Sequence, residues 1–135
     1  MIDIEQEIFA LVAADIRAEY PHAFITGEYV KAPPSFPCAS IVESDNATET
    51  STMDSSIKEN HADIMYAIDV YSNKTSGKKS ECKAIFRIID IRLISLGFKR
   101  IALAPIPNME DATIYRMAGR YRATVSNEKV IYNKR

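Results

Sequence analysis

A chain of 135 residues and 15.2 kDa, 47% hydrophobic and 26% charged with four glycines and six prolines, fits a single globular domain spanning residues 1–135 and excludes a low-complexity or collagen-like polymer. The opening MIDIEQEIF carries acids where a signal peptide carries lysines, and no apolar run reaches the ~18 residues of a membrane span, so a soluble cytoplasmic product without membrane contact is expected. The net charge of −1 hides a division: residues 1–69 hold 13 acids against Arg17, Lys31 and Lys58, whereas residues 70–135 hold 14 bases against five acids. Such halves either interleave and neutralise each other within one fold or form complementary surfaces between subunits.

From Ile4, the residues Ile8, Leu11, Val12 and Ile16 recur at three- and four-residue steps and predict an amphipathic helix. Asp3 is its expected N-cap, Asp3, Glu5 and Glu7 suit the positive end of the helix dipole, and Pro21 stops the pattern after Glu19. Phe24–Val30, rich in aromatic and β-branched residues, reads as a strand, and Cys38–Ser44 as a second one beyond the prolines. Residues 45–60, DNATETSTMDSSIKEN, are polar and acidic and lack the apolar side chains whose burial would offset ordering, which predicts a long mobile loop. A loop of that length inside a compact domain is either a tolerated insertion or a segment that orders against a partner.

Ala62, Ile64, Tyr66, Ile68 and Val70 alternate with Asp63, Met65, Ala67, Asp69 and Tyr71, the two-residue period of a half-buried strand. A turn, Ser72–Lys79, leads to a second helix with Ser80 as N-cap. Its stripe is Cys82, Ile85, Phe86, Ile89, Leu93 and Leu96, widened by Ile88 and Ile91, with Gly97 beyond its end. Phe98–Ala104 reads as a strand closed by Pro105–Asn108. Thr113–Val125 alternates again, with Tyr115, Met117, Tyr121, Ala123 and Val125 on one face and Arg116, Arg120 and Arg122 on the other. Ser126–Lys129 suits a hairpin turn into Val130–Tyr132. The order predicts an α+β domain: a mostly antiparallel sheet with two helices packed on one face, a long mobile loop, and a second face left for solvent or partners. Ile68, Ile89 and Leu93 are expected to share its core.

Groups that could carry catalysis are few. His22 and His61 lie at segment edges outside any H-x-x-x-H or H-E-x-x-H spacing, the cysteines lack zinc spacing and are expected to be buried, and no glycine-rich phosphate loop is present. Asp69 with Glu81-Cys82-Lys83 has the acid, acid, lysine order of metal-dependent nucleases. That chemistry needs the second acid and lysine on a strand, whereas here they begin a helix. No catalytic residue, metal or cofactor is therefore expected. The three arginines could meet phosphates, but Tyr115 and Tyr121 lie on the opposite face and supply no stacking platform, so acids of a neighbouring protein explain them at least as well.

The strand ending Ile68-Asp69-Val70-Tyr71-Ser72-Asn73, the lysine-rich turn, the helix closing on Leu96-Gly97-Phe98-Lys99-Arg100, the stretch Pro107-Asn108-Met109-Glu110-Asp111, Ile114-Tyr115-Arg116 and the terminal Arg120-Tyr121-Arg122-Ala123 follow one another in an order that resembles the tail terminator, or tail completion, proteins of long-tailed bacteriophages. The resemblance implies a structural virion subunit, made in the host cytoplasm and ending in the virion tail. It forms a homo-oligomeric ring, six-membered in that family, which caps the tail tube, meets the tail tube protein and the head–tail connector protein, and leaves a lumen for DNA. A head-to-tail ring uses two different patches per subunit, and the charge division offers them. Arg116, Arg120 and Arg122 are the basic candidates, and Glu49, Asp54 and Glu59 the acidic ones. A head–tail connector or minor capsid protein, a metal-dependent nuclease and a monomeric ligand-binding domain with a ferredoxin-like or related sheet are the alternatives.

Overall fold

The computed structural model describes residues 1–48, 61–107, 111–126 and 131–132. Its elements run α1 (Glu5–Glu19), β1 (Phe24–Thr26), β2 (Cys38–Thr48), β3 (His61–Ser72), α2 (Lys78–Leu96), β4 (Lys99–Ile106), β5 (Tyr115–Ser126) and β6 (Ile131–Tyr132). The strands form one sheet in the order β1-β2-β3-β5-β4, with β6 pairing β5. Among the described residues only β1 and β2 pair in parallel, so the fold is the expected α+β arrangement.

Helix α1 buries Ile8, Val12, Ala13 and Ile16. Leu11, expected on that face, is 37% exposed, because its position on the helix wheel lies on the shoulder away from Val12 and Ile16, where Ala13 on the other flank fits instead. Asp3 stands one residue before the capping position, held by Ile4, and its Oδ1 accepts the Glu5 N–H at 3.1 Å. Helix α2 starts at Lys78 after Gly77 in the left-handed region, so Ser80 is already helical and caps nothing. It ends as the glycine at 97 predicts. Gly97, at φ 109°, donates to the Ile94 carbonyl at 3.0 Å while Phe98 donates to that of Leu93 at 2.9 Å. This pair of bonds satisfies carbonyls the helix would leave open and turns buried Phe98 onto the core. Arg92 clamps Asp15 through two bonds, Nε to Oδ2 at 2.6 Å and Nη2 to Oδ1 at 2.9 Å, tying α2 to α1.

One sheet face receives both helices. Ala39 and Ile41 of β2 pair with Val70 and Ile68 of β3, which fixes them on the same side. With Ile64 and Tyr66 of β3 and Met117 and Tyr121 of β5 they meet the helical stripes in one core that includes Ile68, Ile89 and Leu93. Gly119 lies on this inner side of β5. A Cβ there would stand 2.7 Å from the ring of Phe86, so the bare backbone makes room for that phenylalanine and lets α2 lie close to the sheet.

Three strand boundaries differ from the sequence reading. Strand β1 stops at Thr26, and residues 27–30 cross the outer sheet face instead of extending it. The Glu28 carbonyl accepts the Ser40 hydroxyl at 2.8 Å and the Val30 carbonyl accepts the Tyr71 hydroxyl at 3.2 Å. Part of the face expected to be open is thereby covered, where Ser40, Asp69 and Tyr71 are buried. Strand β2 continues to Thr48, past a bulge at Ser44, so the first four residues of the expected loop are paired with β3; residues 49–60 lie outside the described residues. Strand β4 begins at Lys99 and runs through Pro105 to Ile106. A proline fits an edge strand because alternate N–H groups point away from the sheet. The turn at 127–130 lies outside the described residues, while β6 pairs with Thr124 and Val125 as a terminal hairpin requires.

Candidate subunit interface

Two-residue alternation along β5 puts Arg116, Arg120 and Arg122 on the outer sheet face, and their cross-strand neighbours decide what each can do. Arg116 is diagonal to Asp69 on β3 and holds it through Nε at 3.1 Å and Nη2 at 3.0 Å, with its guanidinium 5.6 Å from the Tyr71 ring centre. Arg122 reaches Asp63 at 3.1 Å, whose other oxygen accepts the Thr124 hydroxyl at 2.9 Å. Arg120 is flanked by Ala67 on β3 and Ala102 on β4. It is exposed, and among the described residues no carboxylate pairs with it. Two of the three arginines therefore serve the fold as well as the surface. The pairs Asp69–Arg116, Asp63–Arg122 and Asp15–Arg92 each join an acid of the first half to a base of the second, so part of the charge division is neutralised internally. Glu49, Asp54 and Glu59 lie outside the described residues.

Sequence reasoning did not single out β4. All eight of its residues are exposed, including Ile101 (49%), Leu103 (40%) and Ile106 (36%). Beside it on α2, Ile94 is 45% exposed, and Ile91, expected to widen the buried stripe, is 67% exposed. A bulge at Ile101 breaks the alternation that would otherwise have marked which side chains face inward.

Acids gather at the other edge. A cleft of about 380 Å³ between α1 and the β1–β2 edge is lined by Asp3, Glu5, Gln6, Phe9, Gly27 and Ile41. Nearby, Glu43 sits opposite Tyr66 across the strand pair, and burial, followed by the charges of Glu5 and Asp3, pushes its carboxyl up to about 7, with Asn46 acting the other way. Glu43 Oε1 and the Tyr66 hydroxyl are buried and have no hydrogen-bond partner among the described residues. A carboxyl whose folded pKa is raised binds more protons in the native than in the unfolded state between 4.5 and about 7, so its contribution to stability falls as pH rises through that window. Glu43→Gln is expected to gain stability over the parent above pH 7 and to match it below pH 4.5. Urea denaturation at the two pH values checks this, and an equal difference at both would contradict it.

The candidate catalytic groups are scattered. Asp69 faces outward, engaged by Arg116, while Glu81 sits on the helical side, where it accepts the Ser72 hydroxyl at 2.7 Å and pairs with Lys74 at 3.4 Å, so the sheet lies between the two acids. Lys83 and His22 are exposed, and His61 begins β3. Cys38 and Cys82 are fully buried, as expected, and burial pushes their thiols up to about 11 and about 12, away from thiolate chemistry. Among the described residues no group of three His, Cys, Asp or Glu side chains is placed to hold a metal ion, and no helix is long and apolar enough to cross a membrane.

The molecule is thus an α+β domain whose distinctive surfaces are one charged sheet face and two unlike edges. No protein-family model and no curated protein matches the chain. Among solved structures, a chain described as "Virion of native gene transfer agent (GTA) particle" shares the fold: TM-score 0.62 and 16% identity over 91% of this chain and 94% of that one.

Proposed function

We propose that this chain is a structural, non-catalytic subunit of a virion, which oligomerises into a ring that caps the tail tube and forms the joining surface between tail and head. The observation that carries the reading is the likeness to a virion-particle chain over nearly the full length of both. The order of motifs that resembles tail terminators narrows it to the tail end, and the surface suits subunit contacts, since one sheet edge exposes apolar side chains and the other gathers acids. In this reading the partners are further copies of the chain, the tail tube protein and the connector, with DNA passing through the ring. A head–tail connector or minor capsid role rests on the same likeness and differs only in the partner.

Arg120 supplies the test. It is exposed, lies between two alanines and holds no acid of the described residues, so its charge is available to a neighbour. Arg120→Glu is expected to weaken self-association without lowering the melting temperature, and the parent's association is expected to weaken as salt rises, because charges are screened beyond ~8 Å at physiological ionic strength. Sedimentation of both proteins at low and high salt reads the result. Equal masses throughout would contradict a role for this face.

A further inference from the structure

The sheet has two edges that differ in every property relevant to contact. At one edge stand β4, with Ile101 and Leu103 exposed, and the adjoining flank of α2, with Ile94 exposed one turn beyond Asp90: Arg100 bonds Asp90 of α2 at 3.0 Å, and Leu103 approaches the same Gly119 site as Phe86. Exposed bases frame this apolar strip, namely Lys83 and Arg87 on α2, Lys99 on β4, and Arg120 and Arg122 on the outer face. Among the described residues no strand pairs with the side of β4 away from β5, where its backbone donors and acceptors can meet another chain. An eight-residue edge strand bearing apolar side chains is a surface that natural proteins cover or blunt.

At the opposite edge, α1, β1 and β2 belong to a stretch, residues 1–48, that holds eight acids and only Arg17 and Lys31 as bases. Its cleft of about 380 Å³ has an apolar floor, Phe9 and Ile41, and an acidic rim, Asp3 and Glu5, with Glu28 and the 67% exposed Tyr29 just beyond Gly27. An apolar strip framed by bases at one edge and an apolar floor rimmed by acids at the other are complementary in both hydrophobicity and charge, and they lie on opposite sides of the same subunit. We infer that the β4 edge with its α2 flank docks into the α1–β1 cleft of a second copy of this chain, so that successive subunits join head to tail. A contact between two different patches leaves one free patch at each end of any open chain and closes only as a ring. The apolar strip supplies the buried centre, and Lys99, Arg120 and the rim acids supply orientation and encounter rate.

This inference rests on the self-assembling reading given above, and it specifies which surfaces meet. Two full-length variants test it. Ile101→Asp blocks the strip and leaves the cleft intact, whereas Asp3→Lys combined with Glu5→Lys blocks the cleft and leaves the strip intact. Each alone is expected to need about 30-fold or more protein for association, the effect of losing a central contact. Mixed in equal amounts they are expected to form a heterodimer that grows no further, because each contributes one intact patch. Ile94→Asp, at an exposed helix position on the β4 flank, repeats the strip experiment if Ile101→Asp fails to fold. A parent that oligomerises, together with strip variants that oligomerise equally well, overturns these surfaces and leaves the self-assembling reading standing. A cleft variant that assembles like the parent while the strip variant does not also overturns the head-to-tail contact, in favour of strip meeting strip. A parent that stays monomeric at every concentration overturns both.

Discussion

Ile89→Ala is expected to lower the free energy of unfolding by about 2–5 kcal/mol, the range for removing a large aliphatic side chain from a packed interior. Ile89 is fully buried in the middle of α2, in the cluster that holds Ile68 of the central strand and Leu93 one turn further along. The neighbourhood has little freedom to collapse into the space left behind. Phe86 is held against Gly119, and Phe98 packs edge-on to Tyr66 with ring centres 5.7 Å apart. Chemical denaturation of parent and variant measures the loss, and a value under about 0.5 kcal/mol would place Ile89 outside the core that joins α2 to the sheet.

Arg116→Met is expected to cost about 1–3 kcal/mol, although Arg116 stands on the face where Arg120→Glu is expected to cost the fold almost nothing. The difference lies in the partner. Asp69 is 5% exposed, covered by the segment that crosses from β1 to β2, and Arg116 supplies the positive charge that faces it. Removing the guanidinium leaves a carboxylate that water reaches poorly, and that desolvation is what destabilises. The double variant Arg116→Met with Asp69→Asn is expected to recover part of the loss, since no charge then remains buried. If the double variant were as unstable as the sum of the two single ones, the ion pair would not be the cause.

The alternating patterns of β3 and β5 and the stripe of α2 were legible because each element has one apolar and one polar side, and the structure places Ile64, Tyr66, Ile89 and Tyr121 where those periods put them. Strand β1 was not, because Gly27–Val30 has strand composition but spends its carbonyls on Ser40 and Tyr71 across the outer face, a tertiary choice that local propensity does not encode. The projection of Arg116, Arg120 and Arg122 from one face was read correctly, yet which of them is engaged depends on register, since Arg116 and Arg122 find acids on β3 where Arg120 finds Ala67. The apolar edge at β4 was hidden for another reason. Ile101 and Leu103 look like core residues in sequence, and only the strand order reveals that among the described residues no element lies beyond them. Ile91 misleads in the same way on α2.

The two unlike edges also give a reason for the charge division of the chain. The pairs at Asp15, Asp63 and Asp69 neutralise some of it inside the fold, while Asp3, Glu5 and Glu28 remain at one edge and Lys83, Arg87, Lys99 and Arg120 at the other. In the proposed ring, a subunit charged in this way would attract its neighbour in one orientation and repel it in the reverse one, which would favour regular over random association.

The proposed role is that of a ring at the end of a tail. Electron microscopy of virions that carry the chain, labelled with an antibody fragment against it and averaged along the tail axis, measures this directly. Label is expected to be confined to the junction of tail and head, arranged around the axis as a closed ring of six. Label spread over the head shell, or particles complete without the chain, would contradict it.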